Sequence, residues 1–345
     1  MTALRLEPLA SLDAARADWR RLAERSGNFF STWEWADAWV RHLGEGRELH
    51  LHACLQPDGE VAAILPLVLS RTGPLRLLRF VGHGPADELG PVCDPGDRDA
   101  AGRALSELLA AGGFHVFVGE RVRPALSFGR VLRTEPSPVL PVRGRSFDEY
   151  LAERSRNFRE QVRRRRRKLA REHELSFRLT EDPARLEDDV TTLFRLHASR
   201  WEEPGAFGGP LEAFHRDFAA RALERGWLRL WTMEVDGRPA AAWYGVRFGG
   251  VESYYQAGRD PALDDLSVGF VLLAHTIEAA FDDGASEYRF LLGDEPFKGR
   301  FAEEDARVET LTVARGARGR AAVAAARAAP RMPPAVKCRF GGLTE

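Results

Sequence analysis

Residues 49–69 read LHLHACLQPDGEVAAILPLVL, and residues 228–248 read LRLWTMEVDGRPAAAWYGVRF. Each is a pair of apolar runs around an Asp-Gly step, Asp58-Gly59 and Asp236-Gly237. That step takes the positive-φ geometry of a tight hairpin turn at little cost. The same elements then follow each hairpin. A third strand is expected at Leu75–Val81 and at Glu252–Ala257, then a loop rich in Gly and Asp, GHGPADELGPVC and GRDPALDDLSVG. Residues 99–111 and 268–281 carry apolar positions at helical spacing, and short strands are expected at 114–120 and 286–295. The order hairpin, strand, helix, strand thus occurs twice, which predicts a duplicated α+β unit.

Around these copies the chain is helical or irregular. Ser31-Thr32-Trp33-Glu34 reads as a capping box opening a helix that ends at Gly44. Phe147–Arg171, Pro183–Trp201 and Pro210–Gly226 read as helices ahead of the second copy. Residues 121–146 hold prolines and glycines without clear periodicity, so the junction is expected there. The expected organisation is an N-terminal unit (1–140), a C-terminal catalytic unit (141–315) and a basic Ala/Arg/Pro-rich tail (316–345). The first copy is read as a degenerate scaffold.

The chain has 345 residues, is 44% apolar and holds 20 Phe and 8 Trp, enough to build a large core and exclude wholesale disorder. Cys54, Cys93 and Cys338 form neither a CxxC pair nor a zinc pattern, so free thiols in a reducing compartment are expected. His50 and His52 lie two apart without an HExxH motif, and no metal is expected. The N-terminus carries early acids and does not read as a signal peptide. The longest apolar run, Val61–Leu69, contains Pro66 and is far short of the ~20 residues of a membrane span. A cytoplasmic protein is the expectation.

The net charge of −1 excludes a protein that is basic all over. Locally the balance is different: RSRNFREQVRRRRRKLAR (154–171) holds ten basic residues and one acid. Successive helical positions advance 100°, so the run Arg163–Lys168 populates every face. Two readings stand: an anion site for a nucleotide cofactor or an RNA backbone, or a solvated charged helix. Phe158 is the one aromatic there, which gives little support to base stacking.

Five segments together resemble a known family: FFSTWEWADAWVRHLG, RSRNFREQVRRRRRKLARE, TLFRLHASRWEEPGAFGG, YYQAGRDPALDDLSVGFVLLAHTIEAAFDDG and YRFLLGDEPFKGRF. In order and spacing they resemble the CelD-like (cellulose-biosynthesis-associated) group of GNAT-superfamily N-acyltransferases over about residues 25–312. That group is similar in turn to the Fem-type aminoacyl-tRNA-dependent transferases. The resemblance implies an α+β fold of two tandem GNAT-like units, with mixed, mainly antiparallel sheets flanked by helices. It also implies transfer of an acyl group, acetyl foremost, from acyl-CoA to an amine by direct attack. The acceptor would be a small-molecule, saccharide or peptide amine. Such a reaction needs donor and acceptor held together, an oxyanion stabilised and two protons managed.

Carried onto this sequence, the resemblance puts the CoA pyrophosphate at Ser267, Val268 and Gly269. There a helix N-terminus favours an anion, Gly269 would allow close approach and Ser267 would cap. Arg259, Arg163 and Arg167 are further expected cofactor ligands. The loop reads ALDDLSVG rather than the superfamily's Arg/Gln-x-x-Gly-x-Gly/Ala, and Asp264 and Asp265 add two negative charges beside the pyrophosphate. That departure keeps two alternatives open: an aminoacyl-tRNA donor, as in Fem-type enzymes, and a non-catalytic polymer- or nucleic-acid-binding accessory protein. Asp294-Glu295-Pro296-Phe297-Lys298-Gly299-Arg300-Phe301 matches the Phe-Lys-x-x-Phe element of the family. It implies Lys298 for the oxyanion or a donor phosphate, and Glu295 or Asp294 as general base. A surface salt-bridge cluster is the competing reading. Alternation predicts Tyr254 and Gln256 on one face of their strand and Tyr255 on the other. One of the two phenols would protonate the leaving thiolate. Arg200, Trp201, Gln256 and Arg300 are expected to shape the acceptor site.

Overall fold

In a computed structural model of the protein, residues 4–124, 126, 128–199 and 205–328 are described. They divide into two units: one holds the residues up to Glu135 together with those from Arg307 on, and the other is Pro136–Ala306.

In the first unit, β1 (Arg5–Leu9) is followed by α1 (Arg16–Ser26) and α2 (Trp33–Leu43). The repeated segment is β2 (Glu48–Leu55), β3 (Val61–Thr72), β4 (Leu75–Phe80), the two-residue β5 (Val92–Cys93), α3 (Arg98–Ala111) and β6 (Val116–Val122). β7 (Arg130–Pro136) follows, and β8 (Val139–Pro141) opens the second unit. The second unit continues with α4 (Phe147–Glu153), α5 (Arg156–Glu172), β9 (Leu175–Leu179), α6 (Leu186–Ala198) and α7 (Pro210–Glu224). Its copy of the repeat is β10 (Leu228–Val235), β11 (Arg238–Phe248), β12 (Val251–Arg259), α8 (Val268–Asp282) and β13 (Glu287–Arg289). After α9 (Pro296–Phe301), β14 (Arg307–Ala314) and α10 (Gly316–Ala328) belong to the first unit.

Two sheets result, ordered β1-β2-β3-β4-β6-β14-β7, with β5 beside β3, and β9-β10-β11-β12-β13-β8. In each copy the hairpin and third strand are antiparallel, while the strand after the helix is parallel to the third: β4 with β6, and β12 with β13. A helical crossover suits this, because a parallel neighbour cannot be reached by a tight turn. The fold is thus α+β, two mixed and mainly antiparallel sheets flanked by helices. Its second core packs α5 and α8 on the sheet through Phe158, Val162, Leu169, Trp243, Leu272, Ile277 and Tyr288.

Several expectations differ from the structure. Residues 121–146 contain β7 and β8, whose edge-like patterns carry little periodicity. Residues 307–314, placed in the C-terminal unit by the expected boundaries, form a strand that pairs with β6 in the first sheet. The helix from residue 147 is two helices, broken at Arg154-Ser155, where Ser155 caps α5 by accepting from Phe158 N. The cap of α2 is Thr32, which accepts from Trp35 N at 3.2 Å; Glu34 instead takes Arg20 at 2.7 Å. Finally, the strand expected over 286–295 stops at Arg289. Leu291 (φ 54°) and Gly293 (φ 127°) turn the backbone left-handed and end the pairing.

Candidate functional site

That early stop builds the site. β12 pairs with β13 only from Val251 to Ser253, yet runs on to Arg259. From Tyr254 onward this edge of β12 has lost its parallel neighbour, and α9 with the N-terminus of α8 borders the gap. A cavity of about 350 Å3 lies there. Tyr254, Ala257 and Arg259 line it from β12, Trp243 from β11, Ser267, Gly269 and Phe270 from the start of α8, Phe297 and Arg300 from α9, and Arg165 from α5. Tyr254 stacks on Trp243 (centroids 5.7 Å, 13°) and approaches Phe297 at 6.2 Å.

A β-bulge decides which strand residues face the cavity. The β11–β12 register slips at Tyr244/Gly245, so Gly245 opposes Tyr254 while Tyr244 opposes Gln256. Two consecutive residues on the bulged strand then share one partner, and the alternation shifts. Tyr254 and Ala257 face α8, whereas Gln256 shares the opposite face with Tyr244, and Tyr255 packs against His215 and Tyr244. The expected pairing of Tyr254 with Gln256 on one face is therefore corrected by the bulge. On that far face α6 lies directly on β12: a Cβ on Gly258 would come within 2.3 Å of His197 N.

The helix N-terminus is bare, but not as expected. Ser267 adopts a left-handed backbone (φ 57°) and its side chain caps nothing, so the first turn of α8 has no side-chain acceptor. Asp264 is answered by Arg259, whose Nε and Nη2 donate to its two oxygens at 2.5 and 3.1 Å and hold the guanidinium's pKa above its ordinary value. Arg165 lies 4.5 Å over the Phe270 ring, and Arg300 lies 5.7 Å from the same ring. Burial, then the proximity of Arg300 and Arg164, lowers the Arg165 pKa. Three arginines against one carboxylate leave this cavity cationic beside an uncapped helix terminus, an arrangement that suits a phosphate.

Arg163 and Arg167 stand elsewhere. Arg163 pairs with Asp148 at 3.2 Å, and Arg167 is exposed, 4.0 Å from Glu160. The informative residue is Arg165. The apolar positions Phe158, Val162 and Leu169 leave 165 as the remaining place on the stripe that α5 turns inward, so its phase was readable.

Lys298 does not line the cavity. It is 4% exposed, pairs with Glu295 at 3.0 Å and donates to the Leu292 carbonyl oxygen. Gly293 makes room for this pair, since a Cβ there would meet Glu295 Oε2 at 2.0 Å. Asp294 is exposed on the same loop. Arg200 and Trp201 lie outside the described residues, as does Cys338. Among the described residues no group of His, Cys, Asp and Glu could hold a metal ion, and no helix is long and apolar enough to cross a membrane.

Residues 156–299, which hold every cavity-lining residue named above except Arg300, match the family described as Acetyltransferase (GNAT) domain. The second unit carries a GNAT-type domain. Solved structures resemble the chain over most of its length, three of them as follows. FemX shares 14% identity with a TM-score of 0.61, covering 88% of this chain and 96% of its own. The C-terminal domain of a putative lysylphosphatidylglycerol synthetase from Agrobacterium fabrum shares 12%, with a TM-score of 0.57 and coverage of 92% and 97%. A tandem GNAT protein from the clavulanic acid biosynthesis pathway shares 15%, with a TM-score of 0.50 and coverage of 91% and 99%. At these identities the likeness is one of fold. No curated protein matches the chain in sequence.

Proposed function

We propose that the GNAT domain transfers an acyl group, acetyl foremost, from acyl-CoA to an amine by direct attack. The observation that carries this is the cavity on the open edge of β12, cationic at the bare α8 terminus and apolar along Tyr254, Trp243 and Phe297. The diphosphate would lie against Val268 and Gly269 with Arg165, Arg259 and Arg300 around it. A pantetheine arm carries amides, and the edge of β12 past Ser253, where the pairing with β13 has ended, would receive them in the manner of an added strand.

In this reading the amine nitrogen attacks the thioester carbonyl, the C–N bond forms and the C–S bond breaks. The thiolate would leave with a proton from Tyr254, which lines the cavity. Glu295 or Asp294, on the loop beside the opening, takes the proton lost by the amine. Lys298, held in its pair with Glu295, sets that loop. The acceptor amine, small-molecule, saccharide or peptide, would enter from the side of Gln256 and Tyr255, with Arg200 and Trp201 proposed as further acceptor residues. Membership of the CelD-like group and a cytoplasmic location belong to the same proposal, as does the scaffold role of the first unit. In that unit the cavity at the start of α3 holds only about 30 Å3, with the Glu88–Arg123 pair (2.7 Å) in its wall.

The test is calorimetry with CoA, followed by release of free thiol from acetyl-CoA with a panel of amines. Binding and amine-dependent thiol release support the reading, and absence of both overturns it. RNase-sensitive amino-acid transfer with salt-sensitive tRNA binding would instead establish a Fem-type donor. Thiol release that survives both Lys298→Ala and Glu295→Gln would remove this loop from the mechanism.

A further inference from the structure

A second cavity, of about 380 Å3, adjoins the first and shares Arg165 and Ser267 with it. Its other walls are Arg164, Lys168 and Leu169 of α5, and Asp265 and Leu266 of the turn before α8. Leu169 is 2% exposed and Leu266 half-buried, so an apolar floor underlies a rim of three cations and one carboxylate.

The charges here are poorly answered from within the chain. Among the described residues Arg164 makes no ion pair, and Lys168 meets only Glu172, at 4.0 Å. Other arginines of the same helix do have carboxylates: Arg163 takes Asp148 at 3.2 Å, Arg166 takes Glu278 at 2.5 Å and Arg171 takes Glu172 at 2.7 Å. Arg164 and Arg300 both crowd Arg165. Clustered like charges over an apolar floor gain from a ligand that joins an anion to a flat apolar ring.

We propose that this cavity holds the nucleoside monophosphate end of the donor, with Arg164 and Lys168 on a terminal phosphomonoester and the base over Leu169 and Leu266. The inference rests on the acyl-CoA reading of the first cavity and adds which donors qualify. Arg165, common to both cavities, stands between the diphosphate and the terminal phosphate. Asp265 is the acceptor for a ribose hydroxyl or a base amine. The protein then selects CoA thioesters over donors that present the same thioester arm without that phosphate, such as dephospho-CoA or a phosphopantetheine arm.

Calorimetric titration of the full chain with CoA, dephospho-CoA and 4′-phosphopantetheine tests it, on the unmodified protein and on Arg164→Ala/Lys168→Ala. CoA is expected to bind about tenfold or more tighter than dephospho-CoA, the scale of one well-placed charge-assisted contact. The double variant should lose that advantage while its Kd for dephospho-CoA stays unchanged, which also shows that it is folded. Equal Kd values for CoA and dephospho-CoA, or a variant that weakens both alike, overturn this inference and leave the acyl-CoA reading standing. Failure of all three ligands to bind overturns both.

Discussion

Single residues set the packing and the charge around the cavity. Gly258 lets α6 touch β12, and Gly258→Ala forces a methyl into the backbone at Leu196 and His197. Overpacking of this kind costs about 1–3 kcal/mol, so the urea midpoint should fall with little change in slope. Arg259 has a different task, because it neutralises Asp264 beside the helix terminus. If the donor is acyl-CoA as proposed, Arg259→Ala leaves that carboxylate unanswered at the helix terminus, and CoA affinity should drop by about tenfold or more. Arg259→Ala/Asp264→Ala should recover part of the loss. Absence of any recovery in calorimetry would show that Arg259 acts only through its own contact with the ligand.

Elements carry the next layer. α9 supplies Phe297 and Arg300, and its end is pinned from α4 and the break that follows: Tyr150 Oη donates to Phe301 O at 2.8 Å, and Arg154 to the same oxygen at 3.0 Å. Tyr150→Phe removes one buried hydrogen bond, worth about 1 kcal/mol. It should raise KM for the acyl donor more than it lowers kcat; equal changes would mean that α9 is held by other contacts. The duplicated order of elements was legible because hairpin turns and helical stripes are local signals, and each copy repeats them. The opening in the sheet was not. Its causes are a register slip at Tyr244/Gly245 and left-handed residues at Leu291 and Gly293, and a non-glycine φ of 54° has no side-chain signature. The same slip put Gln256 on the wrong face in a strictly alternating reading. Ser267 misled for a related reason: its residue type suits a cap, but its backbone does not.

At the scale of the molecule, buried titrating groups set the response to pH. In the second unit burial lowers the pKa of His215 to about 3 and that of His275 to about 4, so neither binds a proton when folded at pH 5. The unfolded chain binds both below 6.5, and stability is lost as pH falls through that value. Glu252 opposes them. Burial raises its pKa from 4.5 to about 7, despite Arg229 and Arg247, with Asp283 adding to the rise. The folded state keeps a proton that the unfolded state releases, so this contribution fades as pH rises from 4.5 to 7. Two histidines against one carboxyl predict a lower urea midpoint at pH 5 than at pH 7. Glu252→Gln should steepen that difference, and a shallower one would refute the balance.

The return of β14 to the first sheet has a consequence for synthesis. Residues Pro136–Ala306 leave the ribosome before Arg307–Ala314 does, so the second unit is complete in sequence while the first still lacks the strand between β6 and β7. The nascent first unit must wait with those edges unsatisfied through the translation of some 170 residues, at rates of about 5–20 residues per second. A ribosome stalled between these points should therefore present a protease-resistant second unit tethered to a cleavable first one, making β14 the latch on the first unit.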